Sequence, residues 1–341
     1  MARTRYQGPI VFFAVTFGAL LAAQLAPAQP PAMAGDLKLL KTFPVGAKGG
    51  WDYPLVDAVA RRLYIARATR VMVLDLDKGT LLGEVADIPG AHGIAIAADL
   101  GFATCGKDNS VAVFDLKTFK TTRKIKTGKN PDAILYDPAS KKVFAFCHSG
   151  GDVTVIDPAQ LDKEPATIVV GGVLEFGASD GVGRVFVNVE DKNECVAIDS
   201  KELKVLARWP LGTAKAPTGL DIDPVRHRLF VGCGNKQMAI LDSVSGKLLA
   251  TIPIGAGVDG VAYDPVLGAL SANGKDGTIT VVRETAPGTF AAVQTVKAAA
   301  GGRTIAVDSN THQAYLPANV PGDGGTTFGV AVVGVEKKDA K

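Results

Sequence analysis

Apolar residues in this chain come in short runs of four to six, each closed by Asp, Pro or Gly. The stretch 131–158 reads PDAILYDPASKKVFAFCHSGGDVTVIDP and holds three such runs: Ala133 to Tyr136, Val143 to Phe146 and Val153 to Ile156. An Asp137-Pro138 turn, a Gly150-Gly151 turn and a closing Asp157-Pro158 separate them. Runs of β-branched and aromatic residues punctuated in this way predict antiparallel hairpins. The same order of apolar run, Asp-containing turn, aromatic run, polar turn and terminal Asp returns at 52–75, 92–115 and 217–242, and at 258–282 with Leu270 for the aromatic and Val282 at the end. Weaker copies occupy 175–199 and 303–320.

Aligning the copies on the second run places Tyr64, Phe102, Phe144, Phe186, Phe230, Leu270 and Tyr315 at one position, about 38 to 45 residues apart. A β-rich period of that length is the mark of propeller blades, and seven copies predict an all-β, seven-bladed β-propeller. The blades should span about 51–90, 91–130, 131–173, 174–216, 217–257, 258–301 and 302–336. A lone strand at 37–45 precedes the first copy, while the seventh ends after its third run, at 330–335. The N-terminal strand is therefore expected to complete the last blade and close the ring. Fourth runs such as 121–126 and 205–210 are polar and charged, as outer edge strands need to be. The Gly-rich stretch 319–328 reads as the longest loop and as mobile, and 159–164 could form one helical turn.

Residues 1–34 read as a signal peptide, with Arg3 and Arg5, an apolar core from Ile10 to Leu25 and a small-x-small site at Ala32-Met33-Ala34. This predicts a periplasmic or secreted chain, not held in the membrane after cleavage, with 35–341 as one domain, expected to act as a monomer. The formal net charge of the whole chain is +3, and losing two Arg with the leader brings it close to neutral. That speaks against a nucleic-acid partner. Of the four Cys, Cys105, Cys147 and Cys233 share one repeat position, which favours small buried side chains; a Cys195–Cys233 bridge between neighbouring blades is the alternative.

The repeats resemble the YVTN-type β-propeller family over about 37–336. Pro217-Thr218-Gly219-Leu220 matches its Pro-x-Gly-hydrophobic opening. Leu270-Ser271-Ala272-Asn273 and Tyr64-Ile65-Ala66-Arg67 match its strand end, the latter without the Asn. The turn is mostly Asp-Pro followed by basic or small residues, a departure from the family pattern. The resemblance implies a fold shared by binding proteins, enzyme subunits and lactonases, and so does not fix a function.

In such a propeller the first strand of each blade lines the channel, and its leading residues ring one mouth. Those residues are Asp52, His92, Asp132, Glu175, Thr218, Asp259 and Arg303. Four carboxylates brought together need a cation, shared protons or water. One reading is a ligand site, with Asp52, Asp132, Glu175 and Asp259 as ligands to a divalent cation; the other is a water-filled rim. Loops on the same face add Trp51, Arg67, Arg70, Lys107, Asp108, His148, Glu190, Lys192, Lys236 and Lys275. Their mixed signs suit a small polar or zwitterionic molecule, or a protein surface, better than a polyanion. Trp51 could stack on a ligand or pack between blades. His227 and His312 belong to the opposite face and read as surface residues. The chain carries no H-E-x-x-H, G-x-S-x-G, P-loop, C-x-x-C or haem-attachment motif. Without a nucleophile–base pair, an exported binding protein is the leading expectation and catalysis is not favoured. The alternatives are a metal-assisted lactonase or hydrolase and the propeller subunit of a periplasmic redox system.

Overall fold

The computed structural model describes residues 35–46 and 49–336; the leader at 1–34 lies outside the described residues. The chain forms seven four-stranded antiparallel sheets, each meandering outward from a first strand on the channel. The first strands are Pro54–Asp57, Ala91–Ala97, Pro131–Asp137, Leu174–Ser179, Pro217–Asp223, Val258–Asp264 and Ala306–Asp308. Among the described residues the only helical turns are short 3-10 pieces at Gly106–Asp108 and Glu190–Lys192, and no helix is long and apolar enough to cross a membrane. The stretch 159–164 makes turns rather than a helix.

Side chains on both faces of the inner strands are buried because each sheet is sandwiched between two neighbours. The aligned aromatic position is 0–3 % exposed in every blade. Tyr64, Val71 and Val73 pack with Ile94, Ala103 and Phe114 across the interface of blades 1 and 2, and equivalent clusters fill the others. Leu37–Pro44 pairs with Gly325–Val335 as the fourth strand of the last blade. Its Leu37 buries against blade 6 and its Phe43 against blade 1, so the ring is closed by apolar contact on both sides.

Residues 319–328 differ from their reading as a loose loop. Gln313–Gly322 and Gly325–Val335 form one continuous hairpin, paired as far as Gly322 with Gly325 around a two-residue turn. On its inner side the first of these strands pairs only over Gln313 to Tyr315, so Pro317 and Pro321 sit on an open edge where proline is tolerated. All four Cys are buried free thiols. Cys195 and Cys233 share one inter-blade cluster without a bridge, and burial pushes the Cys233 thiol up to about 12.

Candidate functional site

The second residue of a first strand faces the channel mouth in five blades, giving His92, Asp132, Glu175, Thr218 and Asp259. Asp52 and Arg303 occupy the extended segments that enter the other two. In three blades the residue that follows is Gly, which lets neighbouring first strands approach closely. A Cβ on Gly93 would lie 2.9 Å from the Asp132 carbonyl oxygen, and one on Gly219 2.6 Å from Val261 N. Only hydrogen fits at those crossings. Side chains then stitch each blade to the start of the next. Thr104 Oγ1 donates to Asp132 O (2.6 Å), Asn188 Nδ2 to Thr218 O (3.0 Å) and Thr304 Oγ1 to Asp52 O (2.9 Å).

The charges fall into two groups. Around blades 1 to 4, His92 Nδ1 lies 2.6 Å from Asp52 Oδ2 and 3.5 Å from Asp132 Oδ1. His148, from the loop after Lys142–Cys147, places Nδ1 3.0 Å from Glu175 Oε1 and 4.0 Å from Asp132 Oδ2. Asp132 is thus shared by two imidazoles, yet its buried Oδ1 accepts no hydrogen bond. Burial, with the charges of Asp52, Glu175 and Asp259, pushes its carboxyl up to about 7 against the pull of His92. The hydrogen bond to Glu175 raises His148 to about 9. His92 is also raised: burial lowers it, but Asp52 and Asp132 outweigh that.

On the far side, Arg303 Nε pairs with Asp259 Oδ2 at 2.8 Å and its Nη2 reaches Asp52 Oδ1 at 3.5 Å. Asp259 also rises to about 7, through burial first and the Asp52 charge second. Over blades 6, 7 and 1 an open pocket of about 560 Å³ is lined by Trp51, Asp259, Lys275, Arg303 and Asn319.

Beneath the charges the channel is obstructed. Tyr53 and Phe176 meet with ring centroids 4.7 Å apart. They stand at a position that is Gly93, Ala133, Gly219, Gly260 or Thr304 in the other blades, so two large rings fill a space that small residues leave. Below them lies an apolar well of about 430 Å³, lined by Leu55, Ile94, Ile96, Ile134 and Tyr136 among others. The mouth is therefore a polar cup with an aromatic floor.

All seven ring residues lie at one mouth, but they do not form one ligand set. Asp259, grouped by sequence with Asp52, Asp132 and Glu175 as a cation ligand, is paired with Arg303 instead. His148, assigned to the rim, stands inside the cup. Trp51 packs against Phe328 with centroids 5.3 Å apart, the packing role of the two, and it also lines the rim pocket. Arg67 is fully buried, its guanidinium 3.6 Å from the Phe328 ring centre and bonded to Gly49 O at 2.7 Å, so it holds the Trp51 loop rather than facing a ligand. Burial lowers it to about 10. Several rim charges are spent locally, Arg70 on Glu84 (2.9 Å) and Lys192 on Gly171 O (3.0 Å). On the opposite face His312 is not a free surface residue: its Nδ1 lies 2.8 Å from the buried Asp264 of the next blade. Tyr53 and Phe176 escaped the sequence reading, although their size at an otherwise small position was visible.

No family model matches the chain. The WD repeat-containing protein YPL247C of Saccharomyces cerevisiae is 24 % identical over 218 residues, 60 % of this chain and 35 % of that protein. The match thus spans about a third of the relative's length. Among solved structures, hydrazine synthase of Kuenenia stuttgartiensis superposes with a TM-score of 0.70 at 14 % identity, covering 82 % of this chain and 96 % of that one. The WD40 β-propeller domain of Doa1 superposes with a TM-score of 0.70 at 13 % identity, covering 88 % and 98 %. At these identities the likeness is one of fold: a seven-bladed β-propeller with WD40 neighbours.

Proposed function

We propose that this chain is an exported binding protein, a propeller of the YVTN repeat type, that takes a small zwitterionic ligand into its channel mouth. The observation that carries this reading is the pocket over blades 6, 7 and 1, where Arg303 and Lys275 stand beside Asp259 with Trp51 as an apolar wall. Its volume of about 560 Å³ falls within the range of small-ligand sites. The two cations suit the ligand's carboxylate, the acid suits its ammonium, and the ring of Trp51 covers its apolar part. Export rests on the leader at 1–34. The test is a thermal-shift and calorimetric screen of the purified chain against free amino acids, simple amines and simple carboxylates. Amino acids should bind more tightly than either half alone, and both Asp259→Asn and Arg303→Gln should abolish the shift. No response from any class, or binding untouched by both substitutions, would remove this reading.

A metal-assisted lactonase is the second reading. The interleaved imidazoles and carboxylates of blades 1 to 4 favour it, since a divalent ion there would supply an activated water. It predicts chelator-sensitive hydrolysis of a simple γ-lactone, lost in Asp132→Asn.

A further inference from the structure

Within the cup, Asp132 is the centre of two overlapping triads. Asp52, His92 and Asp132 each bring one donor atom within 4.8 Å of the other two, and so do Asp132, His148 and Glu175. Small side-chain rotations close such a triangle around one ion at the usual N and O bond lengths of about 2.0–2.2 Å. We propose that these two triads, which share Asp132, form a binding site for a divalent transition-metal ion. The site goes beyond the ligand pocket of blades 6, 7 and 1 and stands whether or not that pocket is filled.

Three observations support it. The first is the donor set. One imidazole nitrogen with two carboxylates in each triad suits Zn²⁺, Co²⁺ or Mn²⁺, whereas Ca²⁺ and Mg²⁺ prefer oxygen alone. The second is Asp132 itself, whose side chain is 15 % exposed and whose Oδ1 is buried without a hydrogen bond. A buried carboxylate oxygen left in that state is costly, and a cation bound beside it removes the cost. The third is placement. Each imidazole lies between two carboxylates, His92 between Asp52 and Asp132, His148 between Asp132 and Glu175. An ion entering either triad therefore meets one nitrogen and two carboxylates already brought together. Blade geometry fixes the triangle: backbone bonds anchor the His148 loop at His148 N to Asn130 O, 2.9 Å, and Thr104 anchors the Asp132 backbone.

The experiment uses the full chain, stripped with chelator and dialysed against Zn²⁺, Co²⁺, Mn²⁺ or Ca²⁺ in turn, with bound metal counted by elemental analysis. The variant carrying His92→Ala, Asp132→Asn and His148→Ala sets the background. Zn²⁺ or Co²⁺ should bind at one or more equivalents above it, with Ca²⁺ at least about 100-fold weaker, and Co²⁺ should show visible absorption from nitrogen and oxygen ligation. Asp132→Asn should weaken binding by about 100-fold, and His148→Gln by at least about 10-fold. Circular dichroism establishes that each variant is folded, and either one alone suffices should the other fail to fold. Trp51→Ala and Lys275→Ala should leave metal affinity unchanged while altering only the amino-acid screen. Binding no stronger than the background variant, equal affinity for Ca²⁺, or affinity indifferent to the Asp132 and His148 changes would overturn the site.

Discussion

Asp132 and Asp137 stand near opposite ends of one strand, Pro131–Asp137. Asp137 accepts from Ser140 N at 2.8 Å and from Ser179 Oγ at 2.6 Å. Burial would raise it, yet those hydrogen bonds hold it below the usual carboxylate range. Asp132, five residues earlier, has a buried oxygen with no donor and sits up near 7. Val258–Asp264 repeats the contrast. Asp264 takes two backbone N–H groups, from Val266 and Leu267, both at 2.8 Å, while Asp259 takes none and also rises to about 7. The difference lies in which amides are free. At the turn end the chain reverses, and the amides two and three residues on point back at the acid. At the mouth end the amides are used between blades, as where Asp259 N and Gly260 N both reach Arg303 O (3.3 and 2.8 Å). Acids there must find partners in one another, in His or Arg, or in something that arrives from solvent. Turn acids build the fold; mouth acids are left without such backbone partners.

That contrast is most exposed to attack at Asp264. Its side chain is 1 % exposed and serves two amides and His312 at once. Asp264→Ala should cost about 3 kcal/mol in denaturant unfolding, because three donors lose their acceptor in a buried place. Asp264→Asn should recover part of it. A cost under about 1 kcal/mol would mean that the turn acids are not structural.

Next in size is a pair of opposite pH signatures. Asp308 is held low: burial opposes this, but hydrogen bonds from Arg61 and Thr311 win. An acid whose folded value is depressed stabilises above its unfolded value of about 3.9, and the benefit disappears as pH falls through the folded value. Asp308→Asn should therefore lower stability at pH 7 and lose its effect at strongly acid pH. Asp259 is displaced the other way, to about 7. Its folded state favours the protonated acid, so stability is greatest below about 4 and declines as pH rises towards 7. Asp259→Asn should match the parent near pH 4 and exceed it at pH 8. The gain should be on the order of 1 kcal/mol once the lost pairing with the half-exposed Arg303 is set against relieved burial. Parallel profiles for the two variants, measured as unfolding free energy from pH 2 to 8, would break the comparison.

The chain announces much of this. Seven aromatic or Leu positions in register and Asp-Pro turns disclose the blades, and the leading residue of each first strand can be counted to Asp52, His92, Asp132, Glu175, Thr218, Asp259 and Arg303. The closing strand shows as an orphan run opposite an incomplete last repeat. What counting cannot supply is distance across the ring. His148 lies one residue beyond the strand Lys142–Cys147 yet reaches Glu175, and Asp259 is captured by a neighbour one blade away rather than joining the other acids. The Tyr53–Phe176 floor joins blades 1 and 4, which no local pattern links. Proline and glycine misled at 317–325, because their usual meaning as breakers assumes a strand flanked on both sides.

The smallest effect probes whether Asp259 is as short of partners as the contrast requires. Apart from Arg303, its one side-chain donor is the Tyr53 hydroxyl, at 3.4 Å to Oδ1, the outer limit of a hydrogen bond. That hydroxyl is itself buried beside four acids and its own ionisation is pushed well above the ordinary tyrosine value, by burial first and Asp259 second. It thus stays a neutral donor across the working pH range, and a weak one at this length. Tyr53→Phe keeps the ring on Phe176 and removes only the oxygen, so stability should change by less than about 0.5 kcal/mol. The acid's upward displacement, read from the pH profile against Asp259→Asn, should remain. A loss above about 1 kcal/mol would show Asp259 firmly held by a partner within the protein, as the turn acids are. Asp132 would then be left as the mouth acid without a settled partner, which would narrow the functional face to blades 1 to 4.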